Sequence, residues 1–306
     1  MYLLVGGDSE IGAATHRLLQ ARGESVSATT RRPEQIAPDR PFFDLTAPID
    51  QWTVPPATRA ACIFAAVARI AICHDDPIGS TRVNVTQTLT LIEHLIERGT
   101  YVLFLSTNQV FDGTTAHVAA DAPHSPVTEY GRQKAQVEAA LHRHIDRGAP
   151  VAILRLAKVV APQMALIDGW IQALSSRQSI QAFDDMRLAP TPIELVSSAI
   201  ATLLQDRAAG IFQLTGPRDV TYAEVGHFLA DRLNADPAQV TVTQARSSLP
   251  EGATPLHTTL DSQLLRDRYG FAVPDAWDVV QTLLSARRQK AGLAADEGLT
   301  VKSARH

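Results

Sequence analysis

Tyr130 and Lys134 stand four residues apart in Tyr130-Gly131-Arg132-Gln133-Lys134. On a helix that spacing puts both side chains on one face, one turn apart. The pairing has a chemical use. A free phenol titrates near pH ~10, too high for easy proton exchange at neutral pH, and a neighbouring ammonium lowers that value by favouring the phenolate. Such a phenol can give a proton to a carbonyl oxygen while hydride reaches the carbon, or take one in reverse. Chance places Tyr and Lys at this spacing in many helices, so the pair needs context. Ser106-Thr107 follows the apolar run Tyr101 to Leu105, which reads as a strand. Strand ends in a parallel sheet face the ligand crevice, where the Thr107 hydroxyl can hold a substrate oxygen. The plainer alternative is a strand-end hydroxyl bonded to its own backbone.

A second constellation opens the chain. Tyr2 to Val5 runs into Gly6-Gly7-Asp8-Ser9-Glu10-Ile11-Gly12 and then into helical spacing. Strand, tight turn and helix start form the context in which glycines bring a backbone close to a pyrophosphate. The helix end adds unpaired N–H groups and a positive dipole. Gly6 and Gly12 match the first and last glycines of a dinucleotide fingerprint. Ser9 stands at the middle one, its hydroxyl able to donate to phosphate. After the second strand comes Thr29-Thr30-Arg31-Arg32. An acidic residue there would hold the 2′-hydroxyl of NAD, whereas arginine favours the 2′-phosphate of NADP. The cofactor expectation is therefore NADP, with NAD possible.

These residues need a scaffold. Short apolar runs at Tyr2 to Val5, Ser25 to Thr29, Ala61 to Ala66, Tyr101 to Leu105 and Val151 to Leu156 read as strands. Amphipathic stretches at Ile11 to Ala21, Val83 to Glu97 and Val127 to Ile145 read as helices between them. Alternation of this kind predicts right-handed crossovers and an α/β fold of Rossmann type, a doubly wound parallel sheet. Beyond Pro190-Thr191-Pro192 come a helix at Ile193 to Leu204, a strand at Ile211 to Leu214, a helix at Thr221 to Leu233 and a strand at Val240 to Val242. Thr221 with Glu224 reads as a capping box. Helices at Leu260 to Tyr269 and Trp277 to Arg287 finish the pattern. We expect a dinucleotide-binding domain over 1–158, a smaller C-terminal substrate lobe over 159–290 with some elements returning to the first domain, and a tail over 291–306.

Composition excludes several classes. The 306 residues are 45% hydrophobic and 20% charged, with a net charge of −4, which rules out disordered, collagen-like and coiled-coil chains. No dense basic cluster offers itself to nucleic acid. No signal peptide or membrane span is visible, so a cytoplasmic protein is expected. Two cysteines, Cys62 and Cys73, cannot build a disulfide framework or a Cys-rich zinc site. His142 and His144 point to different sides of a helix, and His74-Asp75-Asp76 reads as a loop approaching a helix; no metal site is expected. Trp52 and Trp277 read as packing residues. Trp170 lies in a segment expected to border the substrate.

Together these motifs resemble an extended short-chain dehydrogenase/reductase, most closely the dTDP-4-dehydrorhamnose reductase family. That family's S-T-D-Y-V-F-D-G corresponds to Ser106-Thr107-Asn108-Gln109-Val110-Phe111-Asp112-Gly113, its Y-G-x-x-K to Tyr130 to Lys134, and its N-A-A to Phe64-Ala65-Ala66. Asn84, Leu154-Arg155, Pro190-Thr191-Pro192 and Gly210 to Gly216 extend the likeness across nearly the whole chain. The resemblance implies Thr107 orienting a carbonyl, Tyr130 as general acid, and Lys134 holding the nicotinamide ribose and tuning Tyr130. It implies that Gly6, Ser9, Glu10, Ile11 and Gly12 shape the pyrophosphate site. Arg31 and Arg32 would meet the ribose phosphate, and Ala65, Ala66 and Val67 would flank the cofactor. Asn84 would join a proton relay, and Asn108 and Arg155 would meet substrate beside Thr107. Asn108-Gln109 replaces the acidic pair of the superfamily's dehydratases, which argues against dehydration and departs from the rhamnose-type pattern. The function implied is an NADPH-dependent reductase of a keto group, on a nucleotide-linked sugar, acting as a homodimer. Two alternatives stay open: an epimerase retaining NAD, and a dinucleotide-binding regulatory subunit without turnover.

Overall fold

The computed structural model describes the backbone of residues 1–49 and 52–303, and side chains through residue 289. Strand β1 (Tyr2–Val5) leads into helix α1 (Glu10–Ala21) and strand β2 (Val26–Ala28). Strand β3 (Ala60–Ile63) is followed by short helices α2 (Ile70–Asp75) and α3 (Pro77–Thr81), a π-helical turn (Arg82–Gln87) and helix α4 (Thr88–Glu97). Strand β4 (Tyr101–Thr107), helix α5 (Glu129–Asp146) and strand β5 (Val151–Leu156) complete the first half. Where His74-Asp75-Asp76 reads as a loop, α2 runs through Asp75, and Asp76 accepts a hydrogen bond from the Gly79 amide with Pro77 at the first helical position, so α3 follows at once.

The second half threads between two cores. Strand β6 (Val159–Val160) is followed by helix α6 (Ala165–Ser175) and then by strands β7 (Ile180–Phe183), β8 (Arg187–Leu188) and β9 (Thr191–Pro192). Helix α7 (Ile193–Asp206) and strand β10 (Gly210–Leu214) then return to the main sheet. Strand β11 (Val220–Thr221), helix α8 (Tyr222–Leu233), strand β12 (Val240–Thr243) and helices α9 (Gln263–Tyr269) and α10 (Ala276–Ser303) close the chain. The backbone of α10 extends past Arg287, where the sequence reading ended it and expected a tail from 291. Residues 304–306 of that tail lie outside the described residues. Thr221 and Glu224 form the expected capping box.

The central sheet has six strands in the order β10-β5-β4-β3-β1-β2, all parallel. Helices cover both faces, so the strands bury nearly every side chain and read as unbroken apolar runs. Leu4, Cys62, Leu103 and Leu154 face α1 and α7. Leu3, Ile63, Phe104 and Ile153 face α4 and α5. The order reverses between β1 and β3, and the crevice above such a reversal is where doubly wound sheets bind ligands. A separate core gathers α6, α8, α10 and the short strands around Trp170, Tyr222, Leu229 and Val280. No described helix is long and apolar enough to cross a membrane.

Candidate active site

The glycine turn sits at the sheet's reversal. Gly6 has φ +92°, and a Cβ there would stand 2.7 Å from the Ala65 amide nitrogen, so only glycine lets the turn close against the chain leaving β3. Ser9 is the N-cap of α1. Its hydroxyl accepts from the Gly12 amide at 3.1 Å and donates to the Gly6 carbonyl at 2.9 Å. The serine proton is therefore spent inside the turn and not on phosphate. The first amides of α1, at Glu10 and Ile11, keep the unpaired character of a helix start.

Two cavities meet over this turn. One, of about 930 Å³, is lined by Gly6, Asp8, Ser9, Arg31, Arg32 and Ala65 to Val67, among others. The other, of about 580 Å³, is lined by Ser9, Glu10, Ile11, Thr107, Asn108, Gln109, Tyr130 and Lys134 on the sheet side and by Lys158, Arg187 and Tyr222 on the lobe side. They share Ser9, Phe64, Ala66 and Ala68. A glycine cradle that any Cβ would fill, a free helix end and a continuous trough fit a dinucleotide.

Each catalytic candidate is placed by local structure. Thr107 ends β4, and its Oγ1 caps the following turn by accepting from the Gln109 amide at 3.2 Å. Thr128 caps α5 through the Gly131 amide at 3.0 Å, which starts the helix just before Tyr130. A Cβ on Gly131 would fall 2.1 Å from the Gln109 carbonyl oxygen, so this glycine lets α5 lie against the Thr107 turn. Lys134 is 4% exposed. Its Nζ donates to the Leu105 carbonyl at 2.8 Å and lies 4.3 Å from the Phe104 ring centroid and 5.9 Å from that of Tyr130.

The electrostatics differ from the sequence expectation. Burial pushes the Tyr130 phenol up, with the Cys73 thiol adding to the effect, and Lys134 does not reverse it. Lys134 is itself pushed down to about 8, because burial disfavours its charge more than nearby Glu138 restores it. The site thus holds a firmly protonated phenol beside an amine poised near neutrality.

Three expected site residues are placed elsewhere. Arg155 is fully buried. It donates to Glu138 at 2.6 Å and to Gln213 Oε1 at 3.1 Å, and lies 4.9 Å over the Phe111 ring. It ties β5 to α5 and does not line the smaller cavity. Trp170 packs edge-on to Tyr222 within the lobe core, so its ring is structural. Asn84 is 2% exposed and spends its amide on the Val67 amide (2.7 Å), the Val67 carbonyl (2.9 Å) and Gln133 Oε1 (2.7 Å). It positions the Val67 wall of the larger cavity and touches neither cavity itself.

The fold also assembles His124, Glu138 and His142, whose ligand atoms lie within 4.8 Å of one another. Arg155 takes both Glu138 oxygens, and its Nη2 lies 3.2 Å from His124 Nε2. The guanidinium fills the place of a cation, and the cluster is a buried charge network. Burial opposes ionisation of Glu138, yet His124 and Arg155 hold its carboxyl below the usual range.

Sequence reasoning missed several residues. Asp8, inside the glycine turn, accepts from the Thr30 hydroxyl (2.9 Å), the Arg31 amide (3.0 Å) and Arg40 Nη2 (2.7 Å). Lys158 and Arg187 face the smaller cavity from the lobe. Asp8 was visible beside Gly6, but Arg40, Lys158 and Arg187 carry no local signal and become neighbours of the site only through the tertiary fold.

A doubly wound sheet with a glycine turn at its reversal, a threonine at the end of β4 and a Tyr-x-x-x-Lys helix define an extended short-chain dehydrogenase/reductase, a class of NAD(P)-dependent oxidoreductases. Residues 1–288 match the family model described as the RmlD substrate binding domain, and the chain belongs to that family. It is 24% identical to a probable low-salt glycan biosynthesis reductase of Haloferax volcanii, over 94% of this chain and 98% of that protein. It is 28% identical to a dTDP-4-keto-6-deoxy-D-glucose reductase of Streptomyces niveus, over 78% and 81% respectively. A UDP-glucose 4-epimerase of Thermus thermophilus, solved with NAD, superposes with a TM-score of 0.77 at 20% identity, covering 94% of this chain and 99% of that one; this likeness shows the fold.

Proposed function

We propose that the protein is an NADPH-dependent reductase of a keto group on a nucleotide-linked sugar. The observation that carries the reading is that Thr107, Tyr130 and Lys134 line one cavity that runs into the trough flanked by Arg31 and Arg32. NADPH, held by the glycine turn, Arg31 and Arg32, would supply the hydride that reduces the substrate carbon. Thr107 Oγ1 holds the carbonyl oxygen, and Tyr130 gives that oxygen its proton. The raised phenol pKa suits this direction, because the acid is loaded at neutral pH. Lys134, whose Nζ lies 5.9 Å from the Tyr130 ring centroid, would hold the nicotinamide ribose and tune the phenol. Lys158 and Arg187 on the opposite wall suit a diphosphate, and neither makes an ion pair among the described residues. Asn108 offers an amide where dehydration would need a carboxyl. The homodimer and the cytoplasmic setting are part of the same proposal, and sedimentation of the purified chain reads the first.

The test is Tyr130→Phe. We expect kcat for NADPH oxidation with keto-sugar nucleotides to fall by about 10²–10⁴, the usual share of a general acid, with coenzyme affinity kept. A variant as fast as the parent would overturn the mechanism. Coenzyme that stays bound and is regenerated within the cycle would point to an epimerase instead.

A further inference from the structure

The trough's adenosine end holds opposed charges. Arg31 and Arg32 are exposed and unpaired among the described residues, and both line the trough. Asp8 lines the same wall, and Asp44 a neighbouring part of it. Asp44 is occupied locally, accepting from the Thr46 amide at 3.0 Å. Asp8 is bound to the arginine loop itself through the Thr30 hydroxyl and the Arg31 amide, and its other oxygen takes Arg40. Asp8 lines the trough and Arg40, which pairs with its Oδ1 at 2.7 Å, does not.

We propose that Asp8 is a specificity-determining residue for the coenzyme: its carboxylate restrains the preference for a 2′-phosphate that Arg31 and Arg32 confer. Asp8 Oδ2 sits against the Arg31 amide at 3.0 Å, so a dianionic phosphate held by Arg31 would be repelled by the carboxylate, and the Asp8–Arg40 pair would withhold a third guanidinium from it. A ribose hydroxyl meets no such repulsion and can donate to the carboxylate. Burial opposes the Asp8 charge, but its hydrogen bonds and the Arg40 and Arg32 guanidinia hold it ionised at neutral pH. The inference rests on reading the trough as the dinucleotide site.

Titration calorimetry of the full chain with 2′,5′-ADP and with 5′-AMP tests it, since the two probes differ only in the 2′-phosphate. In Asp8→Asn, which keeps an acceptor for the Arg31 amide, the affinity ratio of 2′,5′-ADP to 5′-AMP should rise by about fivefold, the scale of one partly screened charge interaction. In Arg40→Gln, which leaves Asp8 uncompensated, the ratio should fall by a similar factor. A ratio that is unchanged or lower in Asp8→Asn overturns the inference and makes Asp8 a clamp for the loop. Should Asp8→Asn bind neither probe, Arg40→Gln decides alone, and an unchanged or higher ratio there is fatal. A parent protein with no preference for 2′,5′-ADP would sink the NADPH reading while leaving the Asp8 effect to be read from the variants.

Discussion

At Lys134 two demands collide. In the proposed reaction the ammonium must lie beside Tyr130, but the position is 4% exposed and disfavours charge. One carbonyl, at Leu105, and two aromatic faces offset only part of the desolvation. With its value lowered to about 8 from an ordinary 10.5, Lys134 loses its proton in the folded protein while the unfolded chain keeps it. The unfolded state then binds more protons between about pH 8 and 10.5, so this group's contribution makes stability rise with pH across that window. Below it, the full penalty is present. Lys134→Met should therefore unfold at higher denaturant at pH 7, by about 1–3 kcal/mol, with a flatter stability profile from pH 8 to 10.5 and its reductase activity lost. Equal stability of parent and variant at pH 7 would show that the ammonium is not strained. In the parent, kcat/KM for reduction should decline as pH rises through about 8, because the ammonium is lost there while Tyr130 stays protonated. The same residues show what sequence could reveal. Spacing placed Tyr130 and Lys134 on one face, but the sign of the Tyr130 shift depended on burial, which spacing does not contain.

Helix α5 has to hold that face against β4 to within hydrogen-bonding tolerance. Two features do so, and they differ in legibility. Gly131 stands in the motif, and its reason is the Gln109 carbonyl that any Cβ would strike. Glu138 lies one turn beyond Lys134 and pairs with Arg155 on β5, both fully buried. The family resemblance implied that Arg155 meets substrate; the partner that claims it is seventeen residues away on another element. Helix α3 was missed for a similar reason, since its start is set by Asp76 capping Gly79 and not by apolar periodicity, and the short α2 before it begins at Ile70 with no side-chain cap to signal it. Arg155→Leu should cost about 3–5 kcal/mol in urea unfolding, because it strands a buried carboxylate. Any folded fraction should keep the parent's KM for the carbonyl substrate. A raised KM with parental stability would return Arg155 to the substrate.

The whole molecule adds what neither core has alone. The sheet supplies Thr107, Tyr130, Lys134 and the trough over the glycine turn; the lobe faces them with Lys158, Arg187 and Tyr222 across a single cavity. The doubly wound parallel class was readable from alternating runs, because strands buried on both faces must be apolar throughout. The lobe's share of the site was not, because β8, which carries Arg187, is two residues long and pairs with β11 more than thirty positions later. That division of labour makes a prediction about which parameter each side controls. A cation that meets a diphosphate remote from the carbonyl binds ground state and transition state alike, so its loss raises KM and spares kcat. Arg187→Ala should raise KM for a sugar nucleotide by about 10- to 100-fold, the worth of one charge-assisted hydrogen bond, with kcat within about twofold of the parent if binding is uniform. The free keto sugar, which has no diphosphate to lose, should be reduced equally by parent and variant. An equal loss on both substrates would place Arg187 in the chemistry or the packing of the lobe, and the nucleotide-linked substrate would then lose its strongest structural support.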